Sequence, residues 1–268
     1  MNDYGKFAGE ALDKVRETRP LVHSITNYVV MNSTANALLA TGAAPIMAHA
    51  PEEMEELAQF PGVLVINIGT LSKEWIDSML KAVKLADDKG KPWVLDPVGA
   101  GATSLRTETA GRLLETARPT VIRANASETL ALANAQSKTR GVDSVNSVEE
   151  SMEAARALAS GNNTVVAVTG ETDYITDGAR SLFVQGGHSM LTNVTGTGCA
   201  ASVIVAAFLA VEEDALMAAA YGLAFFGMAA AKAGLESDWP GSFWVKTLDQ
   251  LYALTPAQVG ASARIEEA

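Results

Sequence analysis

Cysteine is all but missing from this chain of 268 residues, in which Cys199 stands alone. A single cysteine excludes an intramolecular disulfide framework and a multi-cysteine zinc site, so its purpose is packing or chemistry, and the natural compartment is the cytosol. Basic residues are also scarce, with 20 Lys and Arg against 31 Asp and Glu and a formal net charge of -11. Nucleic acids and anionic membrane surfaces are held by clustered Lys and Arg, and no such cluster exists here, so neither is expected as a partner. The histidines, His23, His49 and His188, show no metal-ligand spacing. Long unbroken apolar runs are absent too. The opening "MNDYGKFAGEALDKVRETRP" is charged throughout and lacks the core of a signal peptide, and "ALMAAAYGLAFFGMAAAKAG" is interrupted by small residues, which suits core packing better than a membrane span. No Gly- or Ser-rich linker divides the chain. One soluble, cytoplasmic domain over residues 1–268 is expected.

What is present is a regular alternation. Residues 5–18 have helical spacing with Phe7, Ala11 and Val15 on one side, and Pro20 stops them. A helix over 30–40, a short strand at "APIMA", a helix in "PEEMEELAQF" and the continuous apolar strand "GVLVINIGT" follow. The pattern repeats as helix 73–88, strand "PWVLDPVG", helix 107–117, strand "PTVIRAN", helices 127–135 and 148–160, and strand "TVVAVTG". Strands that are apolar end to end and separated by helices predict an α/β fold with a mostly parallel central sheet covered on both faces. "TDYITDG" and "RSLFVQGG" predict a hairpin at one edge of that sheet, and from Gly198 onward the chain reads as helical.

In an open parallel sheet, ligands collect at the carboxyl ends of strands, so the polar residues that close each apolar run form the candidate site. Asp96 closes "WVLD", with its backbone held extended by Pro97. "IRANASE" offers Arg123, able to fork onto phosphate oxygens or to form a structural salt bridge, and Glu128, a hard oxygen ligand or half of a capping box with Asn125. Asp96 and Glu128 together are the kind of pair that Mg²⁺ takes beside nucleotide phosphates. Thr169 ends "TVVAVT". In "NVTGTGCAASV", Gly196, Thr197, Gly198 and Cys199 form a turn that opens a helix, whose unpaired N–H groups and dipole favour an anion. Cys199 falls in that first turn, where a thiolate would be favoured, or it is simply a small buried apolar residue. Asn27 caps the next helix or faces a ligand, and Met47 is core or lines an apolar slot.

The succession "VHSITN", "GAAPIMAHAPEE", "VLDPVGAGAT", "VIRANASE", "VAVTGETDYITDG" and "NVTGTGCAASV", spread over about residues 20–210, resembles the hydroxyethylthiazole kinases of thiamin salvage. The resemblance implies a ribokinase-like fold, a homotrimer with active sites between subunits, and ATP- and Mg²⁺-dependent phosphorylation of the hydroxyl of 4-methyl-5-(2-hydroxyethyl)thiazole. It implies substrate contacts at Met47 and Gly196 with Asn27 near the thiazole, and ATP contacts at Arg123 and Thr169. Asp96 and Glu128 would stand by the metal, Glu128 through water. Cys199 would occupy the place where most ribokinase-like enzymes carry an aspartate base. Two alternatives stay open: a kinase of the same fold acting on a pyrimidine or sugar alcohol, for which an Asp in place of Cys199 would be expected, and a nucleotide-dependent dehydratase or nucleotide sensor.

Overall fold

The structure is a computed structural model and describes residues 3–60, 62–137 and 148–268. In chain order its first half comprises α1 (Tyr4–Thr18), β1 (Leu21–Ile25), α2 (Met31–Thr41), β2 (Ala44–Ile46), α3 (Met54–Leu57), β3 (Val63–Asn67), α4 (Lys73–Asp88), β4 (Trp93–Asp96), α5 (Ser104–Thr116) and β5 (Val121–Asn125). The second half comprises α6 (Ala126–Ser137), α7 (Val148–Asn162), β6 (Val165–Thr169), β7 (Thr172–Thr176), β8 (Ser181–Gln185), a 3₁₀ turn at Ser189–Asn193, α8 (Thr197–Leu209), α9 (Ala215–Glu236), α10 (Pro240–Ala253), α11 (Pro256–Ser262) and β9 (Arg264–Glu267). All the described strands join in one sheet of order β2-β1-β3-β4-β5-β6-β7-β8-β9. The pairs from β2 to β6 are parallel and those from β6 to β9 antiparallel.

Because side chains alternate across a strand, each apolar strand feeds two cores. Val63, Val65, Val94, Val121 and Ala167 meet α8 and α9 on one face, with α1 and α2 alongside. Leu64, Ile66, Leu95, Ile122 and Val166 meet α4, α5 and α7 on the other. Helix α8 lies against β1, β3 and β4 between α2 and α9, and every residue from Cys199 to Leu209 is buried. That explains its lack of a polar face. Helix α9 is the one described helix long and apolar enough to cross a membrane, and most of it is buried in this core.

The helix-covered, mostly parallel sheet agrees with the sequence reading, while several elements differ. β1 lies in "LVHSI", where alternating polar residues weaken the strand signal. In α1 the core face is Ala8, Ala11, Leu12 and Val15, while Phe7 is exposed. The β7–β8 hairpin forms as expected, but it is not the edge: β9 pairs outside β8, so the chain does not stay helical after Gly198. "RIEE" is too short and too charged to read as a strand, and only β8 beside it makes it one.

Candidate active site

β3, β4, β5 and β6 run side by side, so their carboxyl ends form one edge. Ile66, Leu95, Ile122 and Ala124 point to the α4–α5 face. The period of two then turns Asn67, Asp96 and Arg123 to the other face, under the start of α8. Asp96 is fully buried, and its Oδ1 accepts from Arg123 Nη2 at 2.6 Å in an ion pair. Its Oδ2 accepts from Asn67 Nδ2 at 2.7 Å and from Ser202 Oγ at 2.8 Å. Arg123 spends its remaining arms on Ser202 Oγ at 2.8 Å and Thr169 Oγ1 at 3.1 Å. A buried pair is tolerated only when its other polar positions are satisfied in this way. Burial opposes the charge of Arg123, and the neighbouring acidic groups, Asp96 first, more than restore it, so its pKa lies above the usual arginine value. Of the two readings of Arg123, the salt bridge is present, and it leaves the guanidinium against the helix end.

Gly196 caps the start of α8 with φ +83, a left-handed conformation that favours glycine, and a Cβ there would lie 2.5 Å from Val30 Cγ1. A Cβ on Gly198 would meet Arg123 Nη1 at 2.9 Å and Nη2 at 3.1 Å. These two glycines therefore let the chain turn into the helix and let a guanidinium lie beside its first turn. The unpaired N–H groups of Thr197, Gly198 and Cys199, the helix dipole and Arg123 converge on one place, with Asp96 as the buried counter-charge. The arrangement suits a phosphate.

Cys199 Sγ accepts from Asn67 Nδ2 at 3.1 Å and more weakly from Asn27 Nδ2 at 3.8 Å. The expected rise in acidity at a helix start is reversed. Burial, and next the charge of Asp96, push the thiol up to about 12, outweighing Arg123 and the two amides. Asn27 does not cap α2, whose capping residue is Val30 and whose start has no side-chain cap. Its Oδ1 accepts from Val29 N at 3.0 Å and its Nδ2 donates to Asn67 Oδ1 at 2.8 Å, which holds it in the same network as Cys199.

Glu128 realises the capping box: its Oε2 accepts from Asn125 N at 2.9 Å, while Asn125 Oδ1 accepts from Glu128 N at 2.8 Å. Its Oε1 accepts from Gly99 N at 2.8 Å, tying α6 to the loop after Asp96. Among the described residues no group of three or more His, Cys, Asp or Glu is arranged to hold a metal ion. Met47 follows β2, two strands away from β3, and is half-buried. Sequence reading missed Asn67 and Ser202. Asn67 obeys the strand-end rule applied to Asp96, but it is hidden within "VINIG", and Ser202 becomes polar lining only because it lies one turn after Cys199 on a helix otherwise apolar from Cys199 onward.

The sequence model of the Hydroxyethylthiazole kinase family matches residues 12–257. A hydroxyethylthiazole kinase of Desulfotalea psychrophila is 50% identical over 267 residues, covering 100% of this chain and 98% of that protein. The structure of a hydroxyethylthiazole kinase from Pyrococcus horikoshii OT3 superposes with a TM-score of 0.91 at 46% identity, covering 98% of this chain and 99% of that one. A Staphylococcus aureus pyridoxal kinase in complex with AMP-PCP shares the fold at a TM-score of 0.62 and 15% identity, covering 77% of this chain and 86% of that one. The fold is ribokinase-like, and the chain belongs to the hydroxyethylthiazole kinase family.

Proposed function

We infer that this chain is a hydroxyethylthiazole kinase, which moves the γ-phosphoryl group of ATP to the hydroxyl of 4-methyl-5-(2-hydroxyethyl)thiazole and yields the thiazole phosphate used in thiamin salvage. The observation that carries the reading is the start of α8, where free backbone N–H groups, Arg123 and Cys199 meet above a strand-end carboxylate. Phosphoryl transfer asks mainly for alignment and charge stabilisation. The N–H groups of Gly196 to Cys199 hold the transferred phosphoryl group. Arg123 adds a fixed positive charge, and Thr169 orients both Arg123 and the nucleotide phosphates. Asn27, Met47 and Gly196 contact the thiazole alcohol, with Cys199 facing its hydroxyl.

Asp96 and Glu128 are the carboxylates closest in kind to a Mg²⁺ site. Each of their oxygens already accepts a hydrogen bond, so these two residues would stand beside an ion coordinated chiefly by phosphate oxygens and water and would add negative charge near it. When bound, Mg²⁺ neutralises charge on the phosphates.

The chain works as a single kinase domain, a reading supported by the one continuous sheet, and it acts in the cytoplasm. It assembles as a homotrimer with active sites between subunits. Tyr28 and Val29, next to Asn27, are 64% and 62% exposed, which supports a neighbouring subunit covering that side of the site. Exposed Leu39, Val245 and Tyr252 on the packed pair α2 and α10 add apolar surface that a subunit contact would bury.

The direct test is an ADP-release assay with ATP and Mg²⁺, run with hydroxyethylthiazole, hydroxymethylpyrimidine and ribose. Turnover with the thiazole alone is expected. Turnover with a control would keep the phosphate site and move the substrate, and ATP binding without any turnover would make the chain a nucleotide sensor.

A further inference from the structure

The end of β3 carries an amide whose every hydrogen-bonding position is used. Asn67 Nδ2 donates to Asp96 Oδ2 at 2.7 Å and to Cys199 Sγ at 3.1 Å. Its Oδ1 accepts from Asn27 Nδ2 at 2.8 Å and from Gly69 N at 3.0 Å. Only one orientation is possible, because rotating the amide by half a turn would set its oxygen against a carboxylate and its NH₂ against the Gly69 N–H. Asn67 is 2% exposed on a strand whose other residues, Val63 to Ile66, are apolar and buried. Sheet pairing alone would hold β3 to β4 in the register that sets Asn67 opposite Asp96, so the strand does not need an amide here. An amide in such a place is costly unless fully bonded, and here it is bonded to three groups of the site at once.

We propose that Asn67 is a positioning residue for phosphoryl transfer, which fixes the Cys199 sulfur and the Asp96 carboxylate relative to one another and to Asn27; this rests on the site assignment proposed above. By donating to the sulfur, Asn67 and Asn27 fix its place at the acceptor side of the site and turn the thiol hydrogen away from themselves. By donating to Asp96 Oδ2, Asn67 leaves Oδ1 to Arg123 and so maintains the guanidinium beside Gly198. The acceptor side and the phosphate side of the site are thus joined through a single side chain.

The test uses two variants. Asn67→Asp keeps the shape and the acceptor half but sets a second carboxylate oxygen against Asp96 and the sulfur. Asn67→Leu keeps the branching without adding charge, so a result remains available if repulsion unfolds the first. In a folded variant, kcat is expected to fall by about tenfold or more, with the KM for ATP and for the thiazole alcohol changed by less than about threefold. Alkylation of Cys199 by iodoacetamide, unambiguous because the chain has no other thiol, is expected to slow by about fivefold or more, since the donor that favours the thiolate is gone. An amide of merely structural value would lower the melting temperature without slowing alkylation. A folded variant with wild-type kcat, or with alkylation as fast as wild type or faster, overturns the proposal. Cys199→Ala, assayed in parallel, separates the two readings: wild-type kcat in that protein sinks the placement of Cys199 at the acceptor hydroxyl on which this proposal rests, whereas its loss of turnover beside unchanged Asn67 variants sinks the role of Asn67 alone.

Discussion

With its thiol pushed up to about 12 by burial and by Asp96, Cys199 keeps its proton at neutral pH. A thiolate base of that acidity would make kcat climb by about tenfold for each pH unit between about pH 6 and about pH 9, as the ionised fraction grows. The expected profile shows no such climb, and Cys199→Ala shares it while losing about ten- to a hundredfold in kcat. Cys199→Asp is expected to retain or raise activity, because a carboxylate accepts a proton more readily and Asn67 can still donate to it. Equal turnover in all three proteins, measured across that range, would leave the cysteine a packing role only. Asp173 makes a second residue-scale prediction. Its carboxylate accepts from Gly170 N at 3.0 Å, and burial raises its pKa from an ordinary carboxylate value to about 6. The folded state therefore binds this proton more tightly than the unfolded chain, and the ionised group subtracts stability that returns as pH falls through about 6. Asp173→Asn keeps an acceptor for Gly170 and removes the charge. It is expected to exceed wild type by on the order of 1 to 2 kcal/mol at about pH 8 and by roughly half that at about pH 5, allowing for solvent screening of a half-buried group. Denaturant melts at both pH values check it, and a gap that widens on acidification would contradict the assignment.

At the scale of the element, α8 has two tasks that conflict unless its first turn is built from glycine. It must be apolar on every side, because it lies between the sheet, α2 and α9. Its N-terminus also admits the Arg123 guanidinium and, in the proposed function, an anion. Gly198→Ala tests the second task. The Arg123 side chain cannot swing aside cheaply, since Asp96, Ser202 and Thr169 hold all of its nitrogens. An added methyl group 2.9 Å from Nη1 therefore displaces the guanidinium or the helix start. The expected result is a KM for ATP raised by about tenfold, equivalent to about 1.4 kcal/mol, with the KM for the thiazole alcohol much less affected. Steady-state kinetics with each substrate varied in turn decides it, and an equal rise in both constants would place the damage in the fold rather than at the phosphate site.

At the scale of the whole molecule, the exposed apolar residues beside Asn27 and along α2 and α10 are the feature that a lone subunit leaves unexplained. Light scattering is expected to return three times the chain mass of 28.0 kDa. Tyr28→Glu, which sets a charge on the exposed surface next to Asn27, is expected to lower both the assembled fraction and the KM-corrected rate for the thiazole alcohol. A monomeric wild-type protein with full activity would rule out shared active sites.

Asp96, Arg123, Glu128, Thr169 and the turn from Gly196 to Cys199 were legible as single residues, because an apolar strand that ends in a polar residue, or a glycine turn that opens a helix, announces itself within a few positions. The α/β class followed for the same reason, since apolar runs and helical spacing are local. The sheet edge was not legible: "RIEE" becomes β9 only by pairing with β8, far away in the chain. The acidity of Cys199 was misjudged because a local rule, the helix dipole, is outweighed by burial and by Asp96, which the fold brings near from a separate strand. Asn67 and Ser202 were unremarkable until β3 and α8 packed together. The sequence by itself determined which side chains were available and where each element would present them. Only the tertiary structure decided which of them share protons and charge, because hydrogen bonds and buried electrostatics act over a few ångströms of space, whatever the separation along the chain.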